Sequence, residues 1–131
     1  MTWIIAFVAA AIAFGILDAM WLGWAGENFY RPRLGDLLAD SFRMGPALVF
    51  YALYVAAIVW FAVRPGLSRG LAAAALNGAL LGGICYATYD LTNQATLKEW
   101  STTVTIADIC WGAFATAIAA TVATFVVSKF A

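Results

Sequence analysis

Four apolar runs, each long enough to cross a lipid bilayer, dominate the chain at about 3–24, 45–63, 71–91 and 103–128. A hydrocarbon core of about 30 Å needs roughly 17 or more apolar residues in a helix. Lipid offers no water to complete backbone hydrogen bonds, so each run must close its own N–H to C=O ladder as an α-helix. The expected fold is therefore all-α: an integral membrane protein, a four-transmembrane-helix up-down bundle. Its 131 residues form a single transmembrane domain over 1–131.

The interruptions carry their own signals. Gly45-Pro46 suits a helix start, where proline's missing N–H costs nothing. Arg64, Pro65, Gly66, Ser68, Arg69 and Gly70 read as a turn, and so do Lys98, Glu99, Trp100 and Ser101. Short turns make neighbouring helices antiparallel. The first connection, about 25–44, is longer. Within it Leu34, Leu37, Leu38 and Phe42 recur at near-helical spacing, with Asp36, Asp40 and Arg43 on the other side. That pattern predicts a short interfacial helix in the first loop, over about 33–43. The first apolar run has no basic segment before it and is read as a retained helix, not a cleaved signal peptide.

Composition narrows the function. The chain is 65% hydrophobic and 11% charged, with seven basic and seven acidic side chains. No clustered basic patch exists to bind nucleic acid. No basic run of four or more flanks a helix, so strong anionic-lipid recognition is not indicated. Histidine is absent, which removes His-based metal sites, general bases and nucleophile pairs. No metal site and no cofactor are expected. Cys85 and Cys110 fall in apolar runs and read as buried small hydrophobes, not a disulfide.

Small residues mark packing seams. Ala11, Gly15, Ala19 and Gly23 recur every four residues in the first run, and Ala74, Gly78 and Gly82 do so in the third. Such stripes let membrane helices approach closely, within the bundle or in a homo-oligomer.

The informative residues are three intramembrane aspartates. Asp18 lies late in the first run, Asp90 ends the third and Asp108 lies early in the fourth. Antiparallel topology puts all three at one membrane face. A charged side chain at the bilayer centre costs about 2.5–3.5 kcal/mol on insertion scales, so the carboxyls should face inward toward polar partners. Thr88, Tyr89, Thr92 and Asn93 flank Asp90, and Thr105 is near Asp108. Trp21 and Trp111 follow Asp18 and Asp108 by three positions, on the same helix faces, and Tyr86 precedes Asp90 by one turn. The candidate ligand-binding set is Asp18, Trp21, Tyr86, Tyr89, Asp90, Thr92, Asn93, Asp108 and Trp111. Trp24, Trp100 and Tyr30 read instead as interface-belt aromatics. Like charges packed together cannot all ionise. One carboxyl should then hold a proton, unless a bound cation or cationic head group neutralises the cluster.

Several segments resemble one family. These are Leu17-Asp18-Ala-Met-Trp21-Leu-Gly23, Phe29-Tyr30-Arg-Pro-Arg-Leu-Gly35, Pro46-Ala-Leu-Val-Phe-Tyr51-Ala-Leu-Tyr54, Tyr89-Asp90-Leu-Thr-Asn93-Gln-Ala-Thr-Leu-Lys98 and Asp108-Ile-Cys-Trp111-Gly112. They are similar to the small bacterial membrane proteins of domain-of-unknown-function family 2177, over about residues 3–125. The resemblance implies a four-helix protein of the bacterial inner membrane and no particular activity. One departure is Ser101, where the family commonly has proline after the tryptophan, which should loosen the start of the fourth helix.

The leading expectation is binding or transport of a lipid, a cation or a small amphipathic molecule at the Asp/Trp/Tyr cluster between helices 1, 3 and 4. A structural or accessory subunit of a membrane complex is the first alternative, and a small lipid-modifying enzyme the second. Catalysis is disfavoured. Tyr89-Asp90 matches half of the intramembrane aspartyl protease signature, but Asp108 follows Thr-Ile-Ala and not Gly-x-Gly. Four-helix multidrug carriers use a glutamate nearer the middle of their first helix, so Asp18 fits them weakly. Lysine and arginine counts do not separate the two faces decisively, and the reading adopted puts both termini in the cytoplasm.

Overall fold

A computed structural model describes residues 1–41 and 43–131. Four long helices account for it: α1 (Thr2–Leu37), α2 (Met44–Arg69), α3 (Leu71–Thr96) and α4 (Thr102–Phe130). All four are long and apolar enough to cross a membrane, and among the described residues there is no strand. Ile12, Ile16, Leu53, Leu76, Leu80, Ile84, Ile106 and Phe114 point outward. That much exposed apolar surface suits acyl chains, not water.

The helices outrun the apolar runs, for one recurring reason. Proline lacks the N–H that closes an α-turn and its ring crowds the carbonyl four residues back. Here a π-helical turn precedes each internal proline. Gly26–Tyr30 is followed by Pro32, and Val59–Val63 by Pro65. The wider turn relieves the crowding and the helix continues. So α1 carries on through Arg31–Leu34 to Leu37, and α2 through Arg64–Arg69. The expected separate interfacial helix over 33–43 is thereby corrected: its first half is the end of α1, and Leu38–Arg43 is the connection, with Phe42 outside the described residues. At 36 residues and 1.5 Å per residue, α1 is roughly 54 Å long and overshoots a bilayer core of about 30 Å. The expected turn at 64–70 shrinks to Gly70, whose φ of 106° an L side chain adopts only under strain.

The core is built around α4. Eleven of its 29 residues are buried, among them Val104, Asp108, Gly112, Ala115, Ala119, Ala123 and Val127, one side of the helix along its whole length. Its most extensive partner is α3, then α1. At the α3 seam a Cβ added to Gly82 would stand 2.0 Å from the Gly112 carbonyl oxygen. The expected stripe on α3 is therefore a packing seam within the bundle. The stripe on α1 is a seam only in its first half: Ala11 and Gly15 meet Tyr51 of α2, whose hydroxyl donates to the Ala11 carbonyl, while Ala19 and Gly23 are exposed. Phe14 fills the space between α1 and α2 against Tyr51 and Tyr54.

The α3–α4 turn is tied by polar side chains. Ser101 caps α4, accepting from the Val104 N–H at 3.2 Å, so serine secures this start where loosening was expected. Gln94 donates to Thr102 at 2.8 Å and accepts from Thr105 at 2.9 Å, and the Trp100 indole donates to Thr105 at 3.0 Å.

Candidate functional site

The antiparallel helices bring carboxyls from α3 and α4 together at the end carrying the α1–α2 and α3–α4 connections. Asp90 is wholly buried and Asp108 nearly so. The two carboxyls lie within hydrogen-bonding reach of each other. Tyr30 of α1 donates its hydroxyl proton to Asp108 Oδ1. The Trp21 indole in turn donates to the Tyr30 hydroxyl oxygen at 2.9 Å. A chain of polar groups thus runs Trp21, Tyr30, Asp108, Asp90 across three helices. Neither Asp90 oxygen receives a hydrogen bond from a donor among the described residues.

Aromatic rings frame this chain. Trp21 and Trp111 stack with centroids 4.8 Å apart and planes 13° from parallel. Phe29 and Trp24 pack on the other sides of Trp21. Tyr86 lies flat against Gly112, where a Cβ would stand 2.3 Å from its ring.

Tyr30 is the residue the sequence reading missed, taken for an interface-belt aromatic. It stands nine positions after Trp21. In an unbroken α-helix nine residues make about 2.5 turns, which puts the pair on opposite faces. The π turn over Gly26–Tyr30 absorbs extra chain and swings Tyr30 back onto the Trp21 side. Pro32 was the available signal, because a proline inside a helix requires such an adjustment.

Other expected partnerships are rearranged. The Trp111 indole N–H is buried and lies close to the Asp18 carboxyl of α1 without forming a well-aligned hydrogen bond. Trp21 serves Tyr30, not its helix neighbour Asp18. Asp18 therefore meets the cluster through Trp111, while Asp90 and Asp108 form the carboxyl pair. Thr92 is exposed and its hydroxyl folds back on the Tyr89 carbonyl at 3.1 Å; Thr88 does the same to Ile84 at 2.8 Å. A threonine in a helix satisfies itself this way, so neither reaches Asp90. Thr105 holds Gln94, not Asp108. Tyr89 is 62% exposed, its ring edge-on to Trp100. Asn93 is half-buried on the last turn of α3. Both cysteines are free, but Cys110 faces outward and only Cys85 is half-buried.

Beside the pair lies a half-open cavity of about 400 Å³ lined by Phe50, Cys85, Tyr86, Tyr89, Asp90 and Asp108. Phe50 of α2 and Tyr89 of α3 form its rim, and both are more than half exposed. A second cavity, about 580 Å³, lies where α1 leaves the bundle, with Tyr30, Glu27, Arg31 and Asp40 among its walls. Tyr30 therefore borders one cavity while its hydroxyl holds a carboxyl that lines the other.

Comparison with known proteins finds one family: predicted membrane proteins, domain of unknown function 2177 (DUF2177), matched over residues 3–125. That span is nearly the whole chain, and the chain belongs to this family. No curated protein and no solved structure matches it.

Proposed function

We propose that this multi-pass membrane protein binds an organic cation with an apolar body, held by Asp90 and Asp108. One observation carries the reading: a wholly buried carboxyl group, beside a second carboxyl and with no other donor to either oxygen among the described residues, forms part of the wall of an otherwise mostly apolar cavity. Burying a carboxylate is costly unless something compensates it. The chain's lysines and arginines all lie in connections or at helix ends. A ligand's positive charge would supply the missing partner, and its apolar body would match the remaining wall. The rings of Phe50, Tyr86 and Tyr89 suit an organic cation. A bare metal ion suits the cavity less, since calcium takes six to eight oxygens and magnesium demands an octahedron, against two carboxyls here. The rim at Phe50 and Tyr89 favours entry sideways from the bilayer.

The position of Tyr30 between two cavities extends this reading from binding toward transport, with Tyr30 as the barrier between a membrane-side opening and a connection-side opening. Tetraphenylphosphonium is a suitable probe. The expected result is saturable binding to the purified protein in mild detergent, weakened about tenfold or more by Asp90→Asn and by Asp108→Asn, which corresponds to about 1.4 kcal/mol. Absence of saturable binding, or affinity unchanged in both variants, would overturn the proposal.

A further inference from the structure

The opposite end of the bundle carries a pocket of different chemistry. All seven acidic side chains lie toward the end described above, together with Arg31, Arg33, Arg43 and Lys98. The remaining basic residues, Arg64, Arg69 and Lys129, occupy the other end, which has no acidic side chain. Neither Arg64 nor Arg69 has an ion-pair partner among the described residues. Both line a pocket of about 310 Å³ with Pro65, Ser68 and Asn77, where α2 passes into α3. Unlike the carboxyl cavity, its lining is mainly polar.

The Arg64 side chain is held in place. Its Nε donates to the Trp60 carbonyl at 3.3 Å, and its guanidinium carbon sits 4.0 Å from the Trp60 ring centroid. The two Nη groups remain for an anion, and a guanidinium fork matches phosphate geometry. Asn77 donates one amide hydrogen to the Ala73 carbonyl at 2.9 Å, which leaves its second N–H as a donor. Trp60 also belongs to an apolar groove of about 260 Å³, with Trp3 and Phe7 of α1 and Ala56 and Val59 of α2. Through the Arg64–Trp60 pair the wall of the basic pocket thus touches the wall of an apolar groove.

We infer that this end of the protein is a binding site for an anionic phospholipid, the phosphodiester between Arg64 and Arg69 and an acyl chain along the groove beneath Trp60. The adjoining groove is what favours a lipid over a free phosphate ion. Basic pockets between membrane helices are apt for such head groups. No run of basic residues marks this end in the sequence; two arginines five positions apart are gathered by the helical end of α2.

Native mass spectrometry of the full chain in mild detergent tests this with phosphatidylglycerol and phosphatidylcholine of equal chain length. The expected result is several-fold greater retention of phosphatidylglycerol. The Arg64→Ala/Arg69→Ala double variant should lower it to the phosphatidylcholine level, and Arg31→Ala/Arg43→Ala at the other end should not. Trp60→Ala should weaken retention of phosphatidylglycerol. Inorganic phosphate in excess should displace the lipid poorly. Equal retention of the two lipids, equal loss in both arginine double variants, or full displacement by inorganic phosphate would overturn the proposal. Both arginines are exposed, so their replacement leaves the packed core intact.

Discussion

Tyr30 holds together what three helices bring. Its hydroxyl accepts from Trp21 of α1 and donates to Asp108 of α4, and Asp108 is the neighbour of Asp90 on α3. Tyr30→Phe keeps the ring and its packing but leaves a part-buried indole N–H and a buried carboxyl each short of a partner. An unsatisfied buried group costs about 1–3 kcal/mol. The variant should unfold at lower temperature than the wild type in a detergent thermal-shift assay. Tyr89→Phe, at an exposed ring, should change stability by less than about 0.5 kcal/mol. Equal effects of the two would contradict the assigned hydrogen bonds. Asp90, Asp108, Trp21 and Trp111 were legible in the sequence because intramembrane aspartates are expensive and their helix phases follow from regular spacing. Tyr30 was not, because its phase depends on a π turn that no periodic pattern announces. Thr88 and Thr92 were misjudged for the complementary reason: proximity in sequence to Asp90 says nothing about hydroxyls that bond their own helix.

At the scale of the helices, existence and order could be read from four apolar runs, but the ends could not. Hydropathy marks where lipid begins and stops, whereas the backbone ladder of α1 continues for about a dozen residues into more polar sequence, past Pro32. The same holds for α2 past Pro65. The helix contacts divide in a similar way. Small residues on α3 gave a true seam because α4 presents Gly112 to Gly82 with no side chain on either helix to separate them. On α1 only the first half of the stripe is a contact: Gly15 faces Tyr51 of α2, whereas a Cβ at Gly23 would meet nothing within 4 Å. Gly82→Ala should therefore force α3 and α4 apart, since backbone atoms cannot step aside. Overpacking of this kind costs typically 1–3 kcal/mol, occasionally more. Gly23→Ala should stay within about 1 kcal/mol of the wild type or stabilise slightly, by restricting the unfolded chain. Thermal unfolding of the two variants side by side reads the difference. Comparable losses would mean that the α3–α4 seam is not as close as described.

The whole molecule is a dipole of chemistries: a carboxyl pair among aromatic rings at one end, arginines over an apolar groove at the other. The two ends should respond differently to protons. A cation at Asp90 and Asp108 would occupy the oxygens that a proton would take, so the two compete. The groups facing Asp90 or sharing its cavity are Asp108 from α4, Tyr30 from α1, and Cys85, Tyr86 and Tyr89 on α3 itself. Tyrosine and cysteine are neutral in acid, so acidification acts on the carboxyls alone. Tetraphenylphosphonium affinity should fall as pH is lowered, approaching about tenfold per pH unit where binding displaces one proton. Phosphatidylglycerol retention at Arg64 and Arg69 should hold over the same range, since guanidinium does not titrate there and the phosphodiester stays charged. Measuring both on one preparation, between about pH 8 and pH 4, separates a loss of cation binding from a loss of the fold. A cation affinity flat across that interval would mean that the charge is held elsewhere than on the carboxyl pair. A parallel decline of both ligands would report acid unfolding of the bundle.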